Sequence, residues 1–137
     1  MSIASSDPET SALPVRRLRQ FLALDAAVTA VNGLAYLSIA GPLETLLGVP
    51  QDLLQPIGAF LIAYGIAVGV VAGKKPPHRM PTRMIIGANL IWAAMSLVLL
   101  ASGALSVTLL GGLWIGAQAV VVGGFAGAQN WAFGRTN

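Results

Sequence analysis

Four long apolar blocks separated by short polar breaks set the pattern of this chain, at about residues 21–40, 55–73, 84–102 and 109–128. Each runs to roughly 18–20 residues, and at ~1.5 Å of rise per residue a helix of that length crosses a ~30 Å hydrocarbon core. A soluble helical domain would need a polar outer face on each helix, and the third block (MIIGANLIWAAMSLVLLAS) has almost none. The pattern predicts an all-α integral membrane four-helix bundle with short loops. Residues 16–132 form one four-span domain, residues 1–15 read as a disordered polar tail, and residues 133–137 as a second short tail.

The breaks carry their own patterns. In GPLETLLGVPQDLLQP, Leu43, Leu46 and Leu47 fall at helical spacing beside Glu44, and Pro42 suits a helix start. A short amphipathic helix at the outer membrane interface is expected there. GKKPPHRMPTR holds three prolines and four cations, which predicts an extended basic connector.

Composition agrees with the blocks. Hydrophobic residues make up 55% of the 137 and charged ones 9%, against about 25% charged in soluble domains; mean hydropathy is +0.75. The net charge of +3 does not point to nucleic acid, because the basic residues flank the apolar blocks. Arg16, Arg17 and Arg19 precede the first block, Lys74, Lys75, Arg79 and Arg83 lie between the second and third, and Arg135 follows the fourth. All fall on one side of an even-numbered bundle. The other side has Glu44, Asp52 and an uncharged second loop. The positive-inside rule then gives a multi-pass protein of the cell membrane with cytoplasmic N- and C-termini. The basic side faces anionic headgroups, at ~1 kcal/mol per cation near the surface. A cleavable signal ending at Ser38–Gly41 is the competing reading; the long apolar run and its Asp25 count against it.

Several chemistries drop out. There is no cysteine and one histidine, His78, so disulfides, thiolate sites and His-rich metal clusters are excluded within one chain. No HExxH, GxSxG or Walker pattern occurs. No metal or cofactor is expected. His78, in the basic connector, reads as solvated, and Trp114 and Trp131 as interface or packing aromatics.

Helix packing in lipid leans on small residues. Gly65, Gly69 and Gly73 mark one face of the second block, and Gly112, Gly116, Ala119, Gly123 and Gly127 a similar stripe on the fourth. These faces serve packing within the chain, or contact with a second copy or another membrane protein. The two halves also hint at a parallel repeat, with Asn32 and Asn89 in comparable places.

Polar residues inside the blocks are the functional candidates. Asp25, Thr29, Asn32 and Tyr36 follow i, i+4, i+7, i+11 spacing and share a helix face. Asn32, Tyr64 and Gln118 fall near mid-span, with Trp92 and Ser96 at similar depth and Asn89 a turn nearer the cytoplasm, towards Asp25. A carboxylate at a helix centre costs ~2.5–3.5 kcal/mol on insertion scales. Asp25 therefore needs partners, and Arg83, the preceding arginines or Asn89 can supply them. The amides serve either interhelical hydrogen bonds or a ligand.

The stretches LRQFLALDAAVTAVNGLAYL, GPLETLLGVP and GAFLIAYGIAVGVVAG resemble the DoxX-like group of small bacterial four-span proteins, including actinobacterial members of unknown function. That resemblance implies the fold and leaves the activity unassigned. The four-span outline with one acid in the first span is also similar to the small multidrug resistance family, but the one-sided charge and shallow Asp25 depart from it. The expected function is a non-catalytic membrane protein binding a lipophilic ligand or a partner. A small-molecule transporter subunit using Asp25 is the second reading, and an isomerase- or cyclase-type enzyme acting on a lipid the third.

Overall fold

The computed structural model describes residues 8–136, in five helices: α1 Pro8–Ser38, α2 Ala40–Leu47, α3 Gln51–Ala72, α4 Arg79–Ser102 and α5 Leu109–Phe133. Four of them (α1, α3, α4 and α5) are long and apolar enough to cross a membrane. The described residues contain no strand. Large apolar side chains stand exposed around the bundle, among them Leu34, Ile66, Val98 and Val120 at 59%, 62%, 67% and 73%. A monomeric soluble protein rarely exposes so much contiguous apolar surface; lipid is the solvent that suits it.

Three helices, α1, α4 and α5, overrun their apolar blocks at the basic end, whereas α3 starts four residues before its block at the other end and stops at Ala72. Of the expected N-terminal tail, residues 1–7 lie outside the described residues, and residues 8–15 form the first turns of α1. The helix α4 starts at Arg79, five residues before the apolar run, and takes in Pro81. A proline in the first turn loses no intrahelical bond there, so the basic connector shrinks to residues 73–78. α5 continues to Phe133 and so absorbs Gln129 and Trp131. Polar residues ended the hydropathy signal, but a helix satisfies its own backbone and need not stop where the side chains turn polar. At the other end α1 stops at Ser38, Ile39 leaves helical geometry, and α2 begins two residues before Pro42.

Two pairs make up the bundle: α1 with α3, and α4 with α5. α1 also meets α5, whereas α3 and α4 barely touch. The α1–α3 seam is backbone against backbone. A Cβ built on Gly33 would lie 2.7 Å from the Gly58 carbonyl oxygen, and one on Gly58 would lie 2.8 Å from that of Gly33. On Gly65 it would meet the Ala26 oxygen at 3.0 Å. These positions admit no side chain. Gly69 makes ordinary contact with Ala26, and Gly73 meets only its own helix.

The glycine stripe expected on α5 does not form a comparable seam. A Cβ on Gly112 or Gly123 would meet its nearest side-chain carbon at an ordinary 3.7 or 3.8 Å, and one on Gly116 or Gly127 would meet nothing. The glycine of α5 that matters for packing is Gly111, pressed against the Leu47 carbonyl at the end of α2. Beside it Thr108 caps α5, accepting from the Gly111 N–H at 2.9 Å, while its own hydroxyl donates to the Leu46 carbonyl at 2.8 Å and its N–H to that of Leu47 at 3.0 Å. Gly48, at φ 75°, makes the left-handed turn that ends α2. The Glu44 carboxylate then accepts from the Gln51 N–H at the start of α3, where an acid also complements the helix dipole.

The basic residues gather at the opposite end, as the sequence predicted. Arg17 and Arg135 lie 5.7 and 4.5 Å from the centroid of Trp131, and Arg79 and Arg83 lie 4.5 and 5.8 Å from that of Phe133. The Arg19 Nε donates to the Ala72 carbonyl at 2.8 Å, at the C-terminus of α3. Lys74, Lys75 and His78 are exposed in the connector. One apolar cluster built on Leu18, Leu22, Val68, Ile86 and Phe133 fills the basic end, and a second on Tyr36, Leu47, Leu54 and Leu61 fills the other.

Candidate functional site

Between these two apolar clusters lie the polar side chains. Asp25 on α1 is 2% exposed and accepts three hydrogen bonds. Its Oδ2 takes the Asn89 Nδ2–H and the Gln129 Nε2–H, each at 2.7 Å, and its Oδ1 takes the Thr29 hydroxyl at 3.0 Å. Asn89 also donates to Gln129 Oε1 at 3.1 Å. The Tyr64 hydroxyl, from α3, donates to Asn89 Oδ1 at 2.9 Å and lies 3.3 Å from the Ile85 carbonyl. One carboxylate thus draws together all four long helices. No buried side-chain nitrogen or oxygen among the described residues is left without a partner, which is what makes such a cluster tolerable in a low-dielectric interior.

Of the partners expected for Asp25, Asn89 is the one in place. Arg83 instead sits over Phe133, Arg17 over Trp131, and Arg19 on Ala72. Arg17 and Arg83 have aromatic faces and Arg19 a helix end to meet, so none of the three extends towards the carboxylate. The donors that reach the carboxylate are all uncharged.

A second polar cluster stands farther from the basic end. The Tyr36 hydroxyl accepts from Trp114 Nε1 at 2.8 Å and donates to Gln118 Oε1 at 3.3 Å. Tyr36 and Trp114 therefore do more than pack: they bolt α1 to α5. Ser96 turns back on its own helix, donating to the Trp92 carbonyl at 2.7 Å.

These two clusters obey one antiparallel register. Eleven residues along α1 separate Asp25 from Tyr36, and eleven along α5 separate Gln129 from Gln118. The clamps are therefore roughly 16 Å apart along the helices. Between them a cavity of about 210 Å³ reaches all four long helices. Its walls include Thr29, Asn32, Val122 and Phe125 from the facing stripes, with the Phe60 and Trp92 rings opposite. Trp92, Phe60 and Tyr64 form a stacked run, with centroids 6.2 and 5.8 Å apart, across the line where α3 and α4 barely meet. Val28, Phe60 and Val121 are each about half exposed, at 41%, 53% and 48%, so the cavity reaches the lipid-facing surface.

Expected site residues thus divide into two groups. Asp25, Thr29, Tyr64 and Asn89 close on one another and form one end of the cavity. Asn32, Trp92 and Gln118 line the cavity, and among the described residues Asn32 has no side-chain hydrogen bond and Gln118 uses only its carbonyl oxygen. Ser96 lines a smaller hollow of about 90 Å³ next to Gln118. Asn32 and Asn89 do not play matching parts, as the expected repeat would require: one is buried in the cluster and the other faces a void. Gln129, fully buried and central, was absent from the expectation. Its signal was present, because Gln118, Val122, Phe125 and Gln129 repeat the spacing of the α1 stripe.

No group of three or more His, Cys, Asp or Glu able to hold a metal ion occurs among the described residues. No family model matches the chain, and neither the curated proteins nor the solved structures contain a match.

Proposed function

We propose that this is a non-catalytic multi-pass protein of the cell membrane that holds a lipophilic small molecule within its bundle. The observation that carries this reading is the cavity between the two hydrogen-bonded clamps, walled by aromatic rings and offered amide groups by Asn32 and Gln118. A bundle that used its polar residues only for packing would close them on one another throughout. Mostly apolar walls with a few placed polar groups are the usual make-up of a small-molecule site. The resemblance of the first two spans to DoxX-like proteins is compatible with this reading. Both termini lie in the cytoplasm, and α2 rests on the outer interface with Leu46 towards lipid. A cysteine placed at Thr136 should then react with impermeant thiol reagents only from the cytoplasmic side.

Photolabelling tests the cavity. The full chain in lipid nanodiscs is irradiated with decanol carrying a diazirine on its chain, and the labelled residues are mapped by mass spectrometry. Saturable labelling should appear at cavity residues such as Thr29 and Phe125, and Val122→Trp, which fills the space, should remove it. Labelling confined to lipid-facing residues such as Leu97 and Val98 would defeat the proposal.

A further inference from the structure

The buried carboxylate has no counter-charge. Its three donors are the neutral groups of Asn89, Gln129 and Thr29. Arginines that could have served are committed elsewhere: Arg17 and Arg135 flank Trp131, Arg79 and Arg83 flank Phe133, and Arg19 holds the end of α3. A carboxylate offers about four acceptor positions, and three are filled. Asp25 also lines the cavity, where the stacked rings of Phe60, Tyr64 and Trp92 stand beside it. An unpaired acid beside aromatic faces is the environment that draws an organic cation, through the charge and through the ring quadrupoles together.

The space beyond the cavity adds a shape. A second hollow, of about 470 Å³, runs between α1, α2 and α5 and is walled by Leu43, Leu46, Leu110 and Leu113. It shares Asn32, Trp114 and Ala117 with the central cavity. The two spaces therefore adjoin across these three residues, and the outer one is leucine-lined. A head of small size and a long apolar body fit this pair of spaces; a globular ligand does not.

Resting on the ligand-binding reading above, we infer that the ligand is a single-tailed lipophilic cation, its ammonium-type head beside Asp25 and its tail passing Trp114 into the leucine-lined hollow. Asp25 supplies the charge, the three rings supply the faces, and Asn32 and Gln118 are left to meet polar groups along the body. At the same site an anionic head faces the Asp25 carboxylate, and a neutral alcohol gains only its tail contacts and a hydrogen bond.

Competition against the decanol photoprobe separates this inference from the reading it rests on. Decyltrimethylammonium, decanol and decyl sulfate are each titrated against cavity labelling in nanodiscs of one lipid composition. The ammonium should compete at a concentration about tenfold or more below that of decanol, the difference one well-placed ionic contact makes, and decyl sulfate should not compete. Asp25→Asn should cancel the ammonium's advantage, so that ammonium and decanol compete at similar concentrations. Phe60→Leu, at a half-exposed position, should reduce the same advantage through the rings alone. Equal competition by ammonium and decanol, or a preference untouched by both substitutions, overturns the cation while leaving the cavity intact. Absence of saturable cavity labelling in the wild-type chain overturns both.

Discussion

The first span meets two neighbours by opposite means. Against α3 it brings backbone to backbone, with Gly33 and Gly58 so close that neither can carry a Cβ. Against α5 it holds off and touches through side chains, at Asp25–Gln129 and at Tyr36–Gln118 with Trp114. The first mode excludes everything. The second leaves a gap between its contact points, and the cavity occupies that gap. Inside a bilayer, where burial of apolar surface gives helices no reason to associate, these are the two available adhesives. Only one of them can coexist with a binding site.

Substitutions can break each side of this contrast in turn. Gly58→Leu should be the most damaging, at about 3 kcal/mol or more, because its side chain meets a carbonyl and cannot be accommodated by a rotamer change. The same leucine at Gly127, where a Cβ meets nothing, should shift stability by less than ~0.5 kcal/mol. Unfolding in mixed micelles followed by circular dichroism measures both, and equal losses would mean that the two glycine faces do not differ. A large loss at Gly127 alone would instead point to a partner on α5. Gln129→Leu should cost about 1–3 kcal/mol, since it leaves Asp25 and Asn89 each short of a bond in a buried setting. Tyr36→Phe should cost less than Gln129→Leu, ~0.6 and at most ~1.7 kcal/mol, the range for hydrogen bonds between membrane helices. It should nonetheless speed exchange of a cavity ligand, since it loosens the clamp beside the leucine-lined hollow. A slower exchange would show that Tyr36 does not stand on the route.

Much of this was legible in the chain, and what escaped did so for physical reasons. Apolar runs gave the four spans, and the arginines marked one end. Helical spacing put Asp25, Thr29, Asn32 and Tyr36 on one face, and Asn89 was named as a partner for Asp25. Gln129 was overlooked because the hydropathy run ends at residue 128, and a helix does not end when its side chains become polar. Gly33 is the one glycine of α1 and Gly58 lies outside the Gly65–Gly69 repeat of α3, and only the opposing helix makes them indispensable. Conversely, the conspicuous stripe of α5 makes no tight seam: a Cβ on Gly116 or Gly127 would meet nothing, and one on Gly123 only the Ala93 methyl. Close approach is a property of two surfaces, and one sequence segment shows only half of it. Whether the polar residues would close or leave a cavity was equally a matter of register between α1 and α5.

The Asp25–Gln129 bond also sets an order of events during synthesis. Its two residues are 104 positions apart, so the acid emerges from the ribosome on the first span while the last span is still unmade. At ~5–20 residues per second that interval is about 5–20 s. During it a carboxylate sits in or beside the membrane without the amide that will eventually hold it. Asn89 arrives earlier and Gln129 later, so the first helix cannot reach all of its polar contacts until the fourth span has been made. Quality control that recognises an unpartnered acid in a membrane helix would find this chain most vulnerable in that window, and a truncation before residue 129 would leave it there permanently.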